Sequence, residues 1–73
     1  MMAGLPDITG VWNGHSIWIE TKMPGNKPST RQLYVHEQIR AGGGNVLVAY
    51  SVAEVLQWLT TLPPVHEKPL ALI

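Results

Sequence analysis

Three charged side chains near the start of the chain have the types and spacing for hydrolytic chemistry: Asp7, then Glu20 and Lys22 in a Glu-x-Lys arrangement. On a strand, residues two apart share a face, so Glu20 and Lys22 project together. The pair Asn13-Gly14, set between two β-compatible runs, is the strongest short hairpin signal in the chain. Placed at the centre of a type I′ turn, it pairs Trp12 with His15, Gly10 with Ile17 and Ile8 with Ile19. One step further puts Asp7 directly opposite Glu20. Like charges so placed are destabilising. A divalent cation between them would relieve that cost, since Mg²⁺ is commonly held by one or two carboxylates plus waters and substrate phosphates. The alternative is an ordinary solvated edge-strand face with no bound ion. A bulge or a longer turn would move Asp7 off the pairing altogether.

The same pairing divides the hairpin into two faces. Ile8, Trp12, Ile17 and Ile19 form the expected core face. Asp7, Thr9, Ser16, Trp18, Glu20 and Lys22 form the expected polar face.

Gln32 shares a helical stripe with Val35, His36 and Ile39, so it points inward near the helix start. It is open to two interpretations. It completes a capping box with Ser29, or it aims an amide at the catalytic face, where it could hold Lys22, a water or a phosphate. Lys22, Lys27, Arg31 and Arg40 cluster in one stretch, and Lys27 and Arg31 flank the loop and helix start beside the proposed site. A nucleic-acid backbone could meet free helix N–H groups there, although a solvated face also explains each charge. His15, His36 and His66 lack metal-ligand spacing; His36 could face the site through its stripe with Gln32 or simply pack. Trp18 is open to the same pair of roles, substrate surface or packing. No Ser–His–Asp arrangement is defensible, and Gly42–Gly44 follows a helix rather than opening one, the wrong context for a phosphate loop.

The elements that position these residues are punctuated by glycine and proline. Asp7–Trp12 and His15–Lys22 are the hairpin strands, and Met23–Pro28 is an exposed loop. Ser29 caps a helix running to about Ala41, where the glycines stop it. Asn45–Tyr50 is almost wholly apolar, as expected of a strand buried on both faces. Ser51 caps a second helix, with Glu54 at the capping-box position and Pro63-Pro64 ending it. The predicted class is α/β, in the order β-hairpin, helix, strand, helix, then an apolar tail over 65–73.

Seventy-three residues allow one small domain, and a chain this short buries only about 60% of the surface it exposes unfolded. With no cysteine, neither disulfides nor thiolate zinc can supplement the core. Apolar residues make up 45% and charged ones 14%, a globular rather than disordered composition. Five basic residues balance five acidic ones, which argues against binding nucleic acid by bulk positive charge and leaves self-association open. The start of the chain is no secretory signal, and no apolar run is long enough to span a bilayer. The expectation is a soluble, intracellular protein.

Gly4-Leu5-Pro6-Asp7-Ile8, Trp18-Ile19-Glu20-Thr21-Lys22-Met23-Pro24-Gly25, Ser29-Thr30-Arg31-Gln32 and Gly43-Gly44-Asn45-Val46 together resemble the virus-type replication–repair nuclease domain (VRR-NUC). That family is a branch of the PD-(D/E)XK nuclease superfamily. The resemblance covers about residues 4–59, within a single domain whose core is about 4–62. It implies hydrolysis of DNA phosphodiester bonds with Mg²⁺ or Mn²⁺ and no organic cofactor. Asp7 and Glu20 would bind the metal, with the Thr21 carbonyl as a further ligand. Lys22 would orient or help deprotonate the attacking water and neutralise the phosphate, and Gln32 would position Lys22, water or phosphate.

The superfamily core usually begins with a helix and a strand before the Pro-Asp strand, and that helix often adds an acidic residue. Only six residues precede Asp7 here. The chain therefore reads as a minimal version with an open sheet edge and an uncovered apolar face, which a second copy would cover. A homodimer is expected, using the Leu70–Ile73 tail or Val55, Leu56, Trp58 and Leu59. Stand-alone members resemble phage-type enzymes of the cytoplasm of a bacterial or infected cell that act on branched DNA such as Holliday junctions. The competing expectations are a non-catalytic DNA-binding or assembly module that keeps the fold, and a scaffold protein.

Overall fold

The computed structural model describes residues 4–65. The elements run β1 (Ile8–Trp12), β2 (His15–Thr21), α1 (Thr30–Ala41), β3 (Asn45–Ala49) and α2 (Val52–Leu59). They make a small α/β domain whose three-stranded mixed sheet has the order β1-β2-β3. The tail over 66–73, and with it His66 and the part expected of Leu70–Ile73, lies outside the described residues.

The hairpin closes as its turn dictates. Asn13 and Gly14 both have positive φ, 52° and 85°, which the type I′ turn needs and which this residue pair tolerates best. The register is the expected one from Trp12↔His15 to Ile8↔Ile19. There the ladder ends. Asp7 sits in a bend just before β1, outside the pairing that would have set it directly opposite Glu20.

β2 then pairs in parallel with β3, so the chain must cross over between them, and α1 is that crossover. Ser29 caps α1 by accepting from the Gln32 amide, and the Gln32 side chain accepts from the Ser29 N–H in return. Both halves of the capping box are made. At the far end Gly44 lies so close to the helix that a Cβ there would fall 2.5 Å from Ile39 Cγ2 and 3.1 Å from Trp18 Nε1. β3 ends the strand order of the described sheet and is fully buried only at Val46 and Ala49, not along its whole length as expected.

For α2, Ser51 accepts from the Glu54 amide, but the Glu54 carboxylate accepts from the Tyr50 N–H rather than from Ser51. The helix ends before the prolines because Thr60 and Thr61 hydroxyls donate to the carbonyls of Gln57 and Trp58, satisfying its last turn. The following segment returns to the hairpin. Trp12 Nε1 donates to the Leu59 carbonyl at 3.1 Å, Asn13 Nδ2 to the Leu62 carbonyl at 2.9 Å, and the Val65 N–H to the Asn13 carbonyl at 2.9 Å.

The apolar core among the described residues is thin: Ile19, Val35, Val46 and Ala49 are its buried members. The predicted division of the hairpin faces needs correcting accordingly. Ile8 and Trp12, on the expected core face, remain 48% and 40% exposed, whereas Glu20, on the expected polar face, is only 2% exposed. The cause is α1, which lays Gln32 and His36 over Glu20. On the other face α2 leaves a groove of about 400 Å³ beside Ile8, Ile19 and Ala49, with Lys22 at its rim.

Candidate active site

The end of β2 and the first turns of α1 assemble the site. Strand alternation sends Glu20 toward the helix. There its Oε2 accepts from Gln32 Nε2 at 3.0 Å and lies 3.8 Å from Lys22 Nζ. The Gln32 amide is thus used at both ends: its oxygen accepts from the Ser29 N–H at 2.8 Å while its nitrogen reaches Glu20. Capping and site-facing roles were alternatives in the sequence. In the fold one side chain fills both, because the capping box fixes the amide just where the stripe crosses β2.

Glu20 Oε1 has a different neighbour. His36 Nε2 is 3.7 Å away, too far for a hydrogen bond, and both atoms are buried without a partner. His36 is 1% exposed, the most buried large side chain among the described residues. A buried carboxylate left half satisfied is costly. The arrangement has polar capacity that the contacts within the fold do not use.

Asp7 is exposed and held differently. Its Oδ2 accepts from the Thr21 hydroxyl at 2.6 Å and from the Thr21 N–H at 2.9 Å. These two bonds, the hydroxyl first, hold its pKa below the ordinary aspartate value of 3.8; slight burial opposes them and the Lys22 charge assists. Asp7 is therefore a carboxylate over the whole neutral range. Thr21, whose carbonyl is an expected ligand, also anchors Asp7 through its amide and hydroxyl. A threonine on a strand has many explanations, so no sequence signal picked out that contact.

Lys22 joins the group through its backbone as well, its N–H donating to the Ala49 carbonyl at 3.0 Å, which extends the parallel ladder by one residue. The loop that follows is tied back by Tyr50, whose hydroxyl donates to the Asn26 carbonyl at 2.8 Å. Lys27 on this loop and Arg31 in the first turn of α1 are both exposed. Arg40, in contrast, is engaged at the far end of α1 with Glu37 at 3.2 Å and the Val46 carbonyl at 3.5 Å, away from the loop. Trp18 packs, its Nε1 donating to Ser16 Oγ at 2.8 Å. His15 Nε2 lies 2.6 Å from the Pro63 carbonyl and serves the return segment.

Chemically, the site offers one ionised exposed carboxylate, one buried carboxylate, an ammonium within ion-pair distance and an amide. Hard oxygen donors are what Mg²⁺ or Mn²⁺ takes. The carboxylates of Glu20 and Asp7 fit such an ion by donor chemistry. Among the described residues no three His, Asp or Glu side chains come together as a ready-made cage, so water and substrate oxygens would complete the coordination. Comparison with protein-family models, curated proteins and solved structures returned no match.

Proposed function

We propose that this protein is a metal-dependent DNA endonuclease of the VRR-NUC type within the PD-(D/E)XK superfamily. The observation that carries the proposal is the convergence on Glu20. A carboxylate 2% exposed is placed with Lys22 at 3.8 Å and Gln32 at 3.0 Å, next to the residue that anchors Asp7. A small fold with little stability to spare has no structural need to bury that carboxylate, and an apolar side chain there would cost less. These residues are also the ones to which the sequence resemblance would assign function.

Asp7 and Glu20 would hold Mg²⁺ or Mn²⁺. Such an ion, when bound, polarises a phosphate oxygen and makes bound water acidic. The remaining work falls to the protein. The Lys22 ammonium orients the attacking water and offsets the charge that develops on the phosphate. Gln32 fixes Glu20 through its amide, and the Thr21 bonds keep Asp7 ionised and stationary. Lys27 and Arg31, both exposed, would meet a phosphate backbone.

The active form in this proposal is a homodimer cutting branched DNA, four-way junctions included, at two sites related by a twofold axis. Val52 and Leu56 on α2 are 75% and 59% exposed, and both sheet edges, β1 and β3, lack a further strand among the described residues. Exposed apolar side chains and open edges are what a second copy would cover. The rival is a non-catalytic DNA-binding or assembly module with the same fold.

Purified protein incubated with labelled four-way junction, flap and linear duplex DNA, with and without Mn²⁺, separates the two. The nuclease cleaves at least one substrate only when metal is present, and Glu20→Ala abolishes cleavage. Binding without metal-dependent cleavage of any substrate, or full activity in Glu20→Ala, defeats the assignment.

A further inference from the structure

The least explained pair of atoms in the fold is Glu20 Oε1 and His36 Nε2. Each is buried, each lacks a hydrogen-bond partner, and they face each other at 3.7 Å. Buried polar atoms are rarely left unpaired, so an orphan of this kind calls for an explanation. Two orphans of complementary type, an acceptor and a possible donor, call for a shared one.

Packing alone does not account for His36. The α1 stripe that contains it also has Val35 and Ile39, and an aliphatic side chain in its place would fill the space without stranding a ring nitrogen. Nor does His36 serve the helix cap, which Ser29 and Gln32 complete between them. Its ring nitrogen points instead at the one carboxylate oxygen that Gln32 and Lys22 leave alone, since both of those engage Oε2.

We infer that His36 is a positioning residue for Glu20: with the proton on Nε2, it donates to Oε1 when Glu20 takes a metal ion. This rests on the metal-binding role proposed above for Glu20. The contact is about half an ångström too long for a hydrogen bond, and catalytic contacts of this kind commonly tighten only when the site is loaded. With Oε1 held by His36 and Oε2 by Gln32, the carboxylate has one orientation rather than several. Carboxylates that ligate metals are usually hydrogen-bonded in this way by residues behind them. Glu20 thus gains a rear support supplied by the same helix face as Gln32, one turn further along.

The test is Mn²⁺ affinity, measured by calorimetry on the full chain without DNA, for the wild type, His36→Phe and His36→Gln. Phe keeps the ring and removes the donor; Gln keeps a donor at similar reach. The positioning role predicts that His36→Phe weakens Mn²⁺ binding about 10–100-fold while His36→Gln stays within a factor of about three. A packing role predicts the reverse order, with Phe tolerated, and that result overturns the inference, as does equal affinity in all three. If the wild type binds no Mn²⁺, or Glu20→Gln binds it as tightly, the metal role of Glu20 falls and this inference falls with it. A wild-type measurement guards against variants that do not fold. Nitrogen-15 NMR of the His36 ring under Mg²⁺ titration should show Nε2 becoming a hydrogen-bond donor, and an unmoved resonance at saturating Mg²⁺ overturns the inference.

Discussion

Gln32→Glu tests whether the amide at the start of α1 does more than cap a helix. Glutamate at this position can still accept from the Ser29 N–H, as Gln32 does at 2.8 Å. A negative charge in the first helical turn adds about 0.3–1 kcal/mol. Were capping the whole role, the variant would be at least as stable as the wild type. In the structure, however, Gln32 Nε2 also donates to the buried Glu20 at 3.0 Å. A hydrogen bond to a charged group contributes about 1.5–3 kcal/mol. Glutamate loses that bond and sets a second carboxylate against the first. After the dipole gain, a net loss of about 1–3 kcal/mol remains at pH 7.

A chain of 73 residues has about 4–11 kcal/mol of stability in total, at roughly 0.05–0.15 kcal/mol per residue. With a urea slope of about 1 kcal/mol/M, the midpoint should fall by about 1–3 M. The loss also has a pH signature. Two carboxylates this close cannot both ionise cheaply, so one folded-state pKa in the variant rises above the unfolded value of about 4.3. A raised pKa contributes stability that is complete below the unfolded value and disappears as pH climbs through the folded one. The deficit should therefore be small near pH 4 and full at pH 7. Urea unfolding of both proteins at the two pH values measures it. A variant midpoint at pH 7 equal to or above the wild type refutes the reasoning.

Thr21→Val removes the bond that contributes most to lowering the Asp7 pKa, so carbon-13 NMR should show that pKa rising toward 3.8. The sign follows from linkage: a depressed folded pKa gives stability present above the unfolded value and lost as pH falls through the folded one, and the substitution narrows that window. An unchanged titration would show that the backbone N–H alone holds Asp7. Gly44→Ala forces a Cβ to within 2.5 Å of Ile39 Cγ2, and such overpacking costs about 1–3 kcal/mol, read as a lower melting temperature; no change would mean that the helix end shifts freely. Leu56→Glu charges the exposed face of α2 and should convert a dimer to a monomer in light scattering. A wild type already monomeric at micromolar concentration sinks the dimer.

The parts of the fold legible in the sequence are those set by short-range rules. Asn13-Gly14 fixes the hairpin register, Ser29 and Ser51 start the helices, and the glycines after Ala41 end the first. Which sheet face a helix covers is not such a rule. The alternation Ser16, Trp18, Glu20, Lys22 reads as a wet face, yet α1 lies across it. The buried side of α1 is legible: the stripe of Gln32, Val35, His36 and Ile39 faces inward, with Val35 and His36 buried, while Leu33 and Tyr34 are 51% and 64% exposed. What the stripe does not tell is which sheet face receives it, because Gln32 and His36 suit a wet face as well as a covered one. The bend at Asp7 was hidden for another reason: the ladder stops where Thr21 offers better donors than a strand facing Glu20 could.

The return segment that fastens to the hairpin also bears on how the chain folds. Its contacts to Trp12, Asn13 and His15 join residues 47 to 49 positions apart, nearly the full described length. Contacts of such separation close late, because the loop entropy must be met before they form. As a ribosome delivers the chain, the hairpin and both site carboxylates emerge first, but the outer end of the sheet is fastened only once Val65 is free. Until then the turn that sets the register is held by itself alone, so truncation before Leu62 should leave a hairpin that slips and exchanges its amides quickly.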